Sequence, residues 1–238
     1  AKLPANMRNH LPPLTDQAIA QLQLNYEGRV GSLLAVDDHV AKIVKKLKAT
    51  GQYENTTIIF TSDNGWMQGE HRVPGDKFLP YEESLRVPFI VAGPGVPKGR
   101  KIKGQVTNVD FAPTILDLAG AKPGRTLDGV SLLATAKNPK KRPDRAISIE
   151  APEPLFASAS MPSNRWDQAY KGVRTDDWKY IVYKVSGGEE LYDLKADPFE
   201  INNLAADPAY AAIKAKMIGK LAKVNACAGA KCRAVPAG

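Results

Sequence analysis

Thr61-Ser62-Asp63-Asn64-Gly65, followed by Glu70-His71 and then Lys77, sets a carboxylate and an amide oxygen side by side with a cation one loop downstream. Such groups can hold a divalent metal and an anionic oxygen group together. Carboxylate and amide oxygens suit Ca²⁺ or Mg²⁺, whereas thiolates suit softer metals. Asp-Asn-Gly is also ordinary turn chemistry after a strand, so the short motif by itself is ambiguous. The residues that follow favour a site. From Glu70 to Lys77 the charges are dense and no helical or strand period is present, yet the segment lies between two apolar runs. Loops held between core strands are where binding and catalysis concentrate.

Three elements must position these residues. Thr57-Ile58-Ile59-Phe60 is apolar and β-branched on both parities, which predicts a strand buried on both faces. Asp63 and Asn64 then fall at its carboxyl end, where ligands sit in open α/β sheets, and Gly65 lets the backbone turn without a Cβ clash. Val87-Pro88-Phe89-Ile90-Val91 reads as a second buried strand. Upstream, Ile19, Leu22, Tyr26, Val30, Leu33, Leu34, Val40, Val44 and Leu47 recur at roughly a 3.6 period, predicting one helix between Thr15 and Thr50. Thr15 caps its start and Gly51 ends it in the left-handed conformation. Lys42, Lys45, Lys46 and Lys48 complement the dipole of its last turns. Asp37-Asp38 lies inside this helical pattern and is therefore not read as a catalytic pair.

Taken in order, Ser62-Asp63-Asn64-Gly65, Gly69-Glu70-His71, Lys77, Tyr81-Glu82, Arg86-Val87-Pro88 and Gly93-Pro94-Gly95 resemble the sulfatase family of the alkaline-phosphatase superfamily. The resemblance continues through Asn108-Val109-Asp110-Phe111-Ala112-Pro113-Thr114 and Asp128-Gly129-Val130-Ser131-Leu132. It reaches Trp178-Lys179-Tyr180-Ile181, Glu190-Leu191-Tyr192-Asp193-Leu194 and Asp197-Pro198-Phe199-Glu200 with Asn203-Leu204. It runs from near Tyr26 to near Leu221.

The resemblance implies roles residue by residue. Asp63 and Asn64 match the family's second pair of metal ligands, usually for Ca²⁺ and less often Mg²⁺. Lys77 matches the lysine that contacts the sulfate ester oxygens. His71 matches a recurrent Gly-Glu-His element of variable role, for which a surface histidine lining the loop is the alternative. Glu82 and Arg86 read as a loop-anchoring ion pair. The family's N-terminal Cys-x-Pro/Ala-Ser-Arg motif, whose cysteine becomes the formylglycine nucleophile, has no counterpart here, because Cys227 and Cys232 both stand in the last dozen residues. The family's first pair of metal aspartates has none either. The expectation is a C-terminal portion of a larger sulfatase, inactive alone, with the N-terminal half of the same protein as its partner.

The implied fold is α/β: part of an alkaline-phosphatase-like sheet flanked by helices, then a small antiparallel-sheet subdomain with a terminal helix. We expect the catalytic part over 1–136, a Pro/Lys/Arg-rich linker over 137–145 and the subdomain over 146–238. The first fourteen residues read as an irregular lead-in. Asp110 to Leu118 reads as a short helix with Asp110 as its cap and Gly120 as its stop. Ala146 to Ile149 reads as a strand, and Val173-Arg174 as the beginning of another. Lys179–Tyr183 and Glu190–Leu194 flank Ser186-Gly187-Gly188 as a hairpin. Asp207-Pro208 starts a final helix whose apolar face is Tyr210, Ile213, Met217 and Leu221.

A formal net charge of +8 favours anionic partners. Sulfated small molecules or glycans fit it, whereas the scattered basic residues show no aromatic-interleaved nucleic-acid patch. No run approaches the ~18 apolar residues of a membrane span. Cys227 and Cys232 suit a small disulfide loop or two free thiols but not a zinc site, and the disulfide would favour a secreted or periplasmic protein. Three functions compete: a sulfuric-ester hydrolase, a phosphoesterase or phosphonate hydrolase of the same superfamily, and a non-catalytic anionic-glycan binding fragment. The surroundings of Lys77, Pro74-Gly75-Asp76, resemble sulfatases of amino-sugar sulfates more than those of small aryl sulfates.

Overall fold

The computed structural model describes residues 12–75, 77–151 and 169–238. Most of the expected lead-in, and Asp76, lie outside them. The chain divides into two compact units, Leu11–Lys98 and Gly99–Gly238.

In the first unit, α1 (Asp16–Ala49) runs for 34 residues. The Thr15 hydroxyl accepts from the Ala18 N–H at 3.2 Å, and Gly51 adopts φ +68, so both ends are as the caps predict. The apolar stripe is present but largely uncovered. Only Leu22 is buried, while Leu33 and Leu34 are 57% and 70% exposed. Asp37 and Asp38 are helical and exposed, which removes them as a metal pair.

Strands β1 (Ile58–Thr61) and β2 (Phe89–Ala92) pair antiparallel, with Ile59 opposite Val91 and Phe60 opposite Ile90. The expectation of two buried faces is not met. Phe60 is 36% exposed and Ile90 59%, because among the described residues the sheet holds only these two strands. Between them lies the charged loop and one helical turn, α2 (Glu82–Leu85).

The second unit has a closed core. A four-stranded antiparallel sheet runs in the order β3 (Ile147–Ala151), β4 (Tyr170–Arg174), β5 (Trp178–Tyr183) and β6 (Glu189–Asp193). Val173-Arg174 closes β4 rather than opening a strand. β5 and β6 form the expected hairpin, with Tyr180 opposite Leu191. Pro208–Tyr210 forms a 3-10 turn that leads into helix Ala211–Ala226. That helix lays Met217, Leu221 and Val224 against Val173, Tyr180 and Leu191. Burying each such aliphatic side chain stabilises by roughly 1.5–3 kcal/mol.

Two further helices, Phe111–Leu118 and Leu133–Lys137, precede the sheet. The first begins one 3-10 turn earlier than expected. Thr107 is the cap, and Asp110 is the third residue of a capping box whose carboxylate accepts from the Thr107 N–H at 3.0 Å. Asp110 also accepts from Val130 N–H at 2.9 Å and pairs with Arg145 in a wholly buried ion pair. Residues 137–145, expected as a linker, therefore lie within this unit. Arg145 is 3% exposed, Lys141 C=O accepts from the Thr135 hydroxyl at 3.1 Å, and Arg142 pairs with Asp176 at 2.6 Å. A basic stretch reads as solvated in sequence because its acidic partners are remote along the chain.

A second buried polar cluster sits in the sheet. Lys179 and Glu200 pair at 2.6 Å with both side chains fully buried, and Glu190 accepts from the Tyr183 and Tyr192 hydroxyls at 3.0 Å each. Cys227 and Cys232 form a disulfide with a Cα–Cα distance of 5.0 Å. No described helix is long and apolar enough to cross a membrane.

Candidate active-site loop

All four residues singled out for chemistry lie in the first unit. Asp63 and Asn64 follow β1 directly, Asp63 exposed and Asn64 half-buried. The turn is internally bonded: Asp63 Oδ1 accepts from the Asn64 N–H at 2.9 Å, and the Ser62 hydroxyl donates to Asn64 C=O at 2.8 Å. The Asn64 Nδ2 also donates to Gly65 C=O at 2.8 Å, so the amide is held against the turn with its Oδ1 on the other side.

Gly65 makes the turn possible by close approach. Its N–H donates to Ser84 C=O at 2.9 Å, and a Cβ there would lie 1.9 Å from Glu83 O. α2 thus presses against the turn, and no side chain fits between them.

Lys77 returns to the same point. Its Nζ donates to Asn64 Oδ1 at 3.2 Å, thirteen residues back along the chain. The structure therefore joins an amide oxygen and a cation that the sequence places apart. His71 is elsewhere in the loop and is not a surface residue. It is 6% exposed, adopts φ 52, and stacks on Tyr81 with ring centroids 3.9 Å apart.

As a metal site the arrangement is partial. Asp63 and Asn64 offer hard oxygens of the kind Ca²⁺ takes, but Ca²⁺ requires about 6–8 oxygen ligands. Among the described residues no three His, Cys, Asp or Glu side chains gather to hold a metal. The donor set fits one side of a Ca²⁺ site and leaves the other side to further ligands.

Two aromatic residues in this loop were not singled out by sequence reasoning. Trp66, 42% exposed, directly follows Gly65, and Phe78, 59% exposed, directly follows Lys77. Phe78 has φ 73. Their signal was adjacency to the polar residues, which a search for ligand types passes over.

The chain as a whole is similar to known proteins. The model of the sulfatase family matches residues 2–121, and that of the N-sulphoglucosamine sulphohydrolase C-terminal region matches residues 69–227. The chain belongs to the sulfatase family. It is 34% identical to N-acetylglucosamine-6-sulfatase of Homo sapiens over 95% of its own length and 45% of that protein. Among solved structures it is similar to a protein in complex with its substrate D-glucosamine-2-N,6-O-disulfate, with a TM-score of 0.73 and 32% identity over 81% of this chain and 38% of that one. It is also similar to the phosphonate monoester hydrolase of Agrobacterium radiobacter, with a TM-score of 0.67 and 30% identity over 80% and 39% of the two chains. The chain thus spans less than half the length of each of these relatives.

Proposed function

We propose that this chain supplies one side of the active site of a sulfuric-ester hydrolase acting on sulfated sugars. The observation that carries the reading is the 3.2 Å bond from Lys77 Nζ to Asn64 Oδ1, which puts a cation beside a hard-oxygen pair. Asp63 and Asn64 would hold Ca²⁺, or less favourably Mg²⁺, and the ion would supply charge neutralisation at a sulfate oxygen. The Lys77 ammonium would meet a second sulfate oxygen and stabilise charge that grows as the ester bond breaks. His71, buried under Tyr81, acts by shaping the loop that delivers Lys77. The formylglycine nucleophile would come from a further polypeptide portion, the N-terminal half of the same protein. The exposed apolar side chains of α1 and of Phe60 and Ile90 suit packing against that portion. The disulfide fits a secreted or periplasmic setting.

In the complete enzyme Lys77→Ala is expected to lower the rate of sulfate release by about 10²–10³-fold, the scale of losing one charge-stabilising donor. His71→Ala should cost less. An unaltered rate for Lys77→Ala would remove the lysine from the site. The 238-residue chain alone should release no sulfate from an aryl sulfate and bind Ca²⁺ weakly. Tight binding by calorimetry would contradict the half-site reading.

The likeness to a phosphonate monoester hydrolase favours one second reading, hydrolysis of phosphonate or phosphate esters on the same residues. Comparing kcat/KM for a sulfate and a phosphonate ester of one alcohol separates the two.

A further inference from the structure

Large aromatic side chains left in water beside a cation point to a ligand with an apolar face and a negative group. Trp66 and Phe78 are 42% and 59% exposed, and both belong to the loop that joins Asn64 to Lys77. Trp66 lies two residues after Asn64, and Phe78 immediately follows Lys77, whose Nζ is 5.7 Å from the Phe78 ring centroid.

Neither position is casual. The Arg29 guanidinium lies 5.6 Å from the Trp66 ring centroid. Arg29 is itself fixed by donating to Gln68 Oε1 at 2.5 Å, and Gln68 Nε2 donates to Leu22 C=O at 2.8 Å. The indole is thus held from α1 through the Arg29 and Gln68 side chains and the Leu22 carbonyl. Its edge meets the backbone of the same loop at Gly75, where a Cβ would lie 3.4–3.7 Å from Cζ2, Nε1 and Cε2. Gly75 has φ +154, a conformation side chains rarely adopt. The Trp66–Gly75 contact and the Asn64–Lys77 bond therefore close the loop at points two residues apart on each side.

Phe78 adds a second sign. Its φ of 73 is left-handed, which costs about 1–3 kcal/mol, and residues strained in this way cluster at active sites, ligand clamps and switch regions. With that backbone the ring stays in solvent rather than joining a core.

We propose that Trp66 is a specificity-determining residue: its open indole surface stacks on the ring of a sulfated sugar whose sulfate is held by Lys77, with Phe78 as a second contact. The apolar C–H face of a pyranose matches an aromatic plane, while its sulfate matches the ammonium. This rests on the sulfatase reading of Asn64 and Lys77 and deepens it by naming the part of the substrate that is recognised.

The test uses the complete enzyme and a glucosamine-6-sulfate saccharide. Trp66→Ala should raise KM by about 3- to 10-fold, the scale of one lost aromatic contact, with the loss falling on KM rather than on kcat. Trp66→Phe should recover most of it, because a plane remains. Phe78→Ala should raise KM less. An unaltered KM in Trp66→Ala overturns the proposal. So does a joint fall in kcat and Tm that Trp66→Phe does not reverse, since that marks Trp66 as covered by other polypeptide. A wild-type enzyme that releases sulfate from no ester sinks the sulfatase reading and the proposal with it, an outcome distinct from either variant result.

Discussion

In Gly99–Gly238 a 16-residue helix lays Met217, Leu221 and Val224 onto a four-stranded sheet, whereas in Leu11–Lys98 a 34-residue helix buries only Leu22. Both helices show apolar residues at helical spacing. They differ in what the rest of the chain supplies to cover that face. The sheet of the second unit has four strands and a helix for its core, while β1 and β2 stand as a pair with Phe60 and Ile90 open. The candidate site lies in the open unit. Stability and chemistry are thus divided: one unit carries a finished core with buried ion pairs, the other carries a loop in which Asp63, Trp66 and Phe78 still face solvent.

The largest effect should come from breaking the closed unit at Lys179. Lys179→Met takes the ammonium away from the fully buried Glu200 carboxylate and should cost about 3–5 kcal/mol in urea unfolding. Replacing Glu200 as well, with Gln, should recover part of the loss. A cost below 1 kcal/mol would mean the unit is less closed than its burial implies.

Next in size is Gly65→Ala in the open unit. A Cβ 1.9 Å from Glu83 O forces the turn and α2 apart, at about 1–3 kcal/mol. The same change should weaken any Ca²⁺ affinity of the complete enzyme, because Asp63 and Asn64 move with the turn. Loss of stability with metal affinity intact would show that the turn and the ligands are independent.

Acid sensitivity should belong to the closed unit and be smaller. Burial pushes the Glu189 carboxyl up, but hydrogen bonds from Lys214 at 2.5 Å and from the Tyr180 hydroxyl outweigh it and leave the group below its usual value of 4.5. Its folded value is the lower one, so its stabilisation is full above about pH 4.5 and is lost as pH falls through the folded value. Glu189→Gln should flatten the stability profile below that pH and little above it. An unaltered acid limb would show that the carboxylate is not held by its partners.

The smallest effect should be Leu34→Gln on α1. The two residues have similar helix propensity and Leu34 is 70% exposed, so unfolding of the chain alone should shift by less than about 0.5 kcal/mol. The same substitution should be markedly destabilising in the complete enzyme if that face is covered there. Equal effects in both would erase the contrast between the units.

Much of the local structure was legible beforehand. The ends of α1 followed from Thr15 and Gly51, and the β5–β6 hairpin followed from Ser186-Gly187-Gly188 between two alternating runs. The final helix followed from Asp207-Pro208 and its apolar face. These features are set by dihedral preference, capping and periodicity, which act over a few residues. The linker expected at 137–145 was not legible, because Arg145 is buried by Asp110, thirty-five residues away. The covering of the strand Ile58–Thr61 was not legible either, since an apolar run states a need for burial but not whether a neighbour meets it.

The amino-acid order alone therefore offered Asp63, Asn64 and Lys77 as two hard oxygens and a cation, a chemistry they carry wherever they stand. Only the tertiary structure decided that Lys77 reaches Asn64, that His71 lies buried on Tyr81, and that Trp66 is braced by Arg29. The physical reason is one of range. Side-chain chemistry and short-range backbone preference are properties of a residue and its neighbours, whereas a hydrogen bond across thirteen residues or a stack across thirty-seven exists only once packing has fixed the path between them.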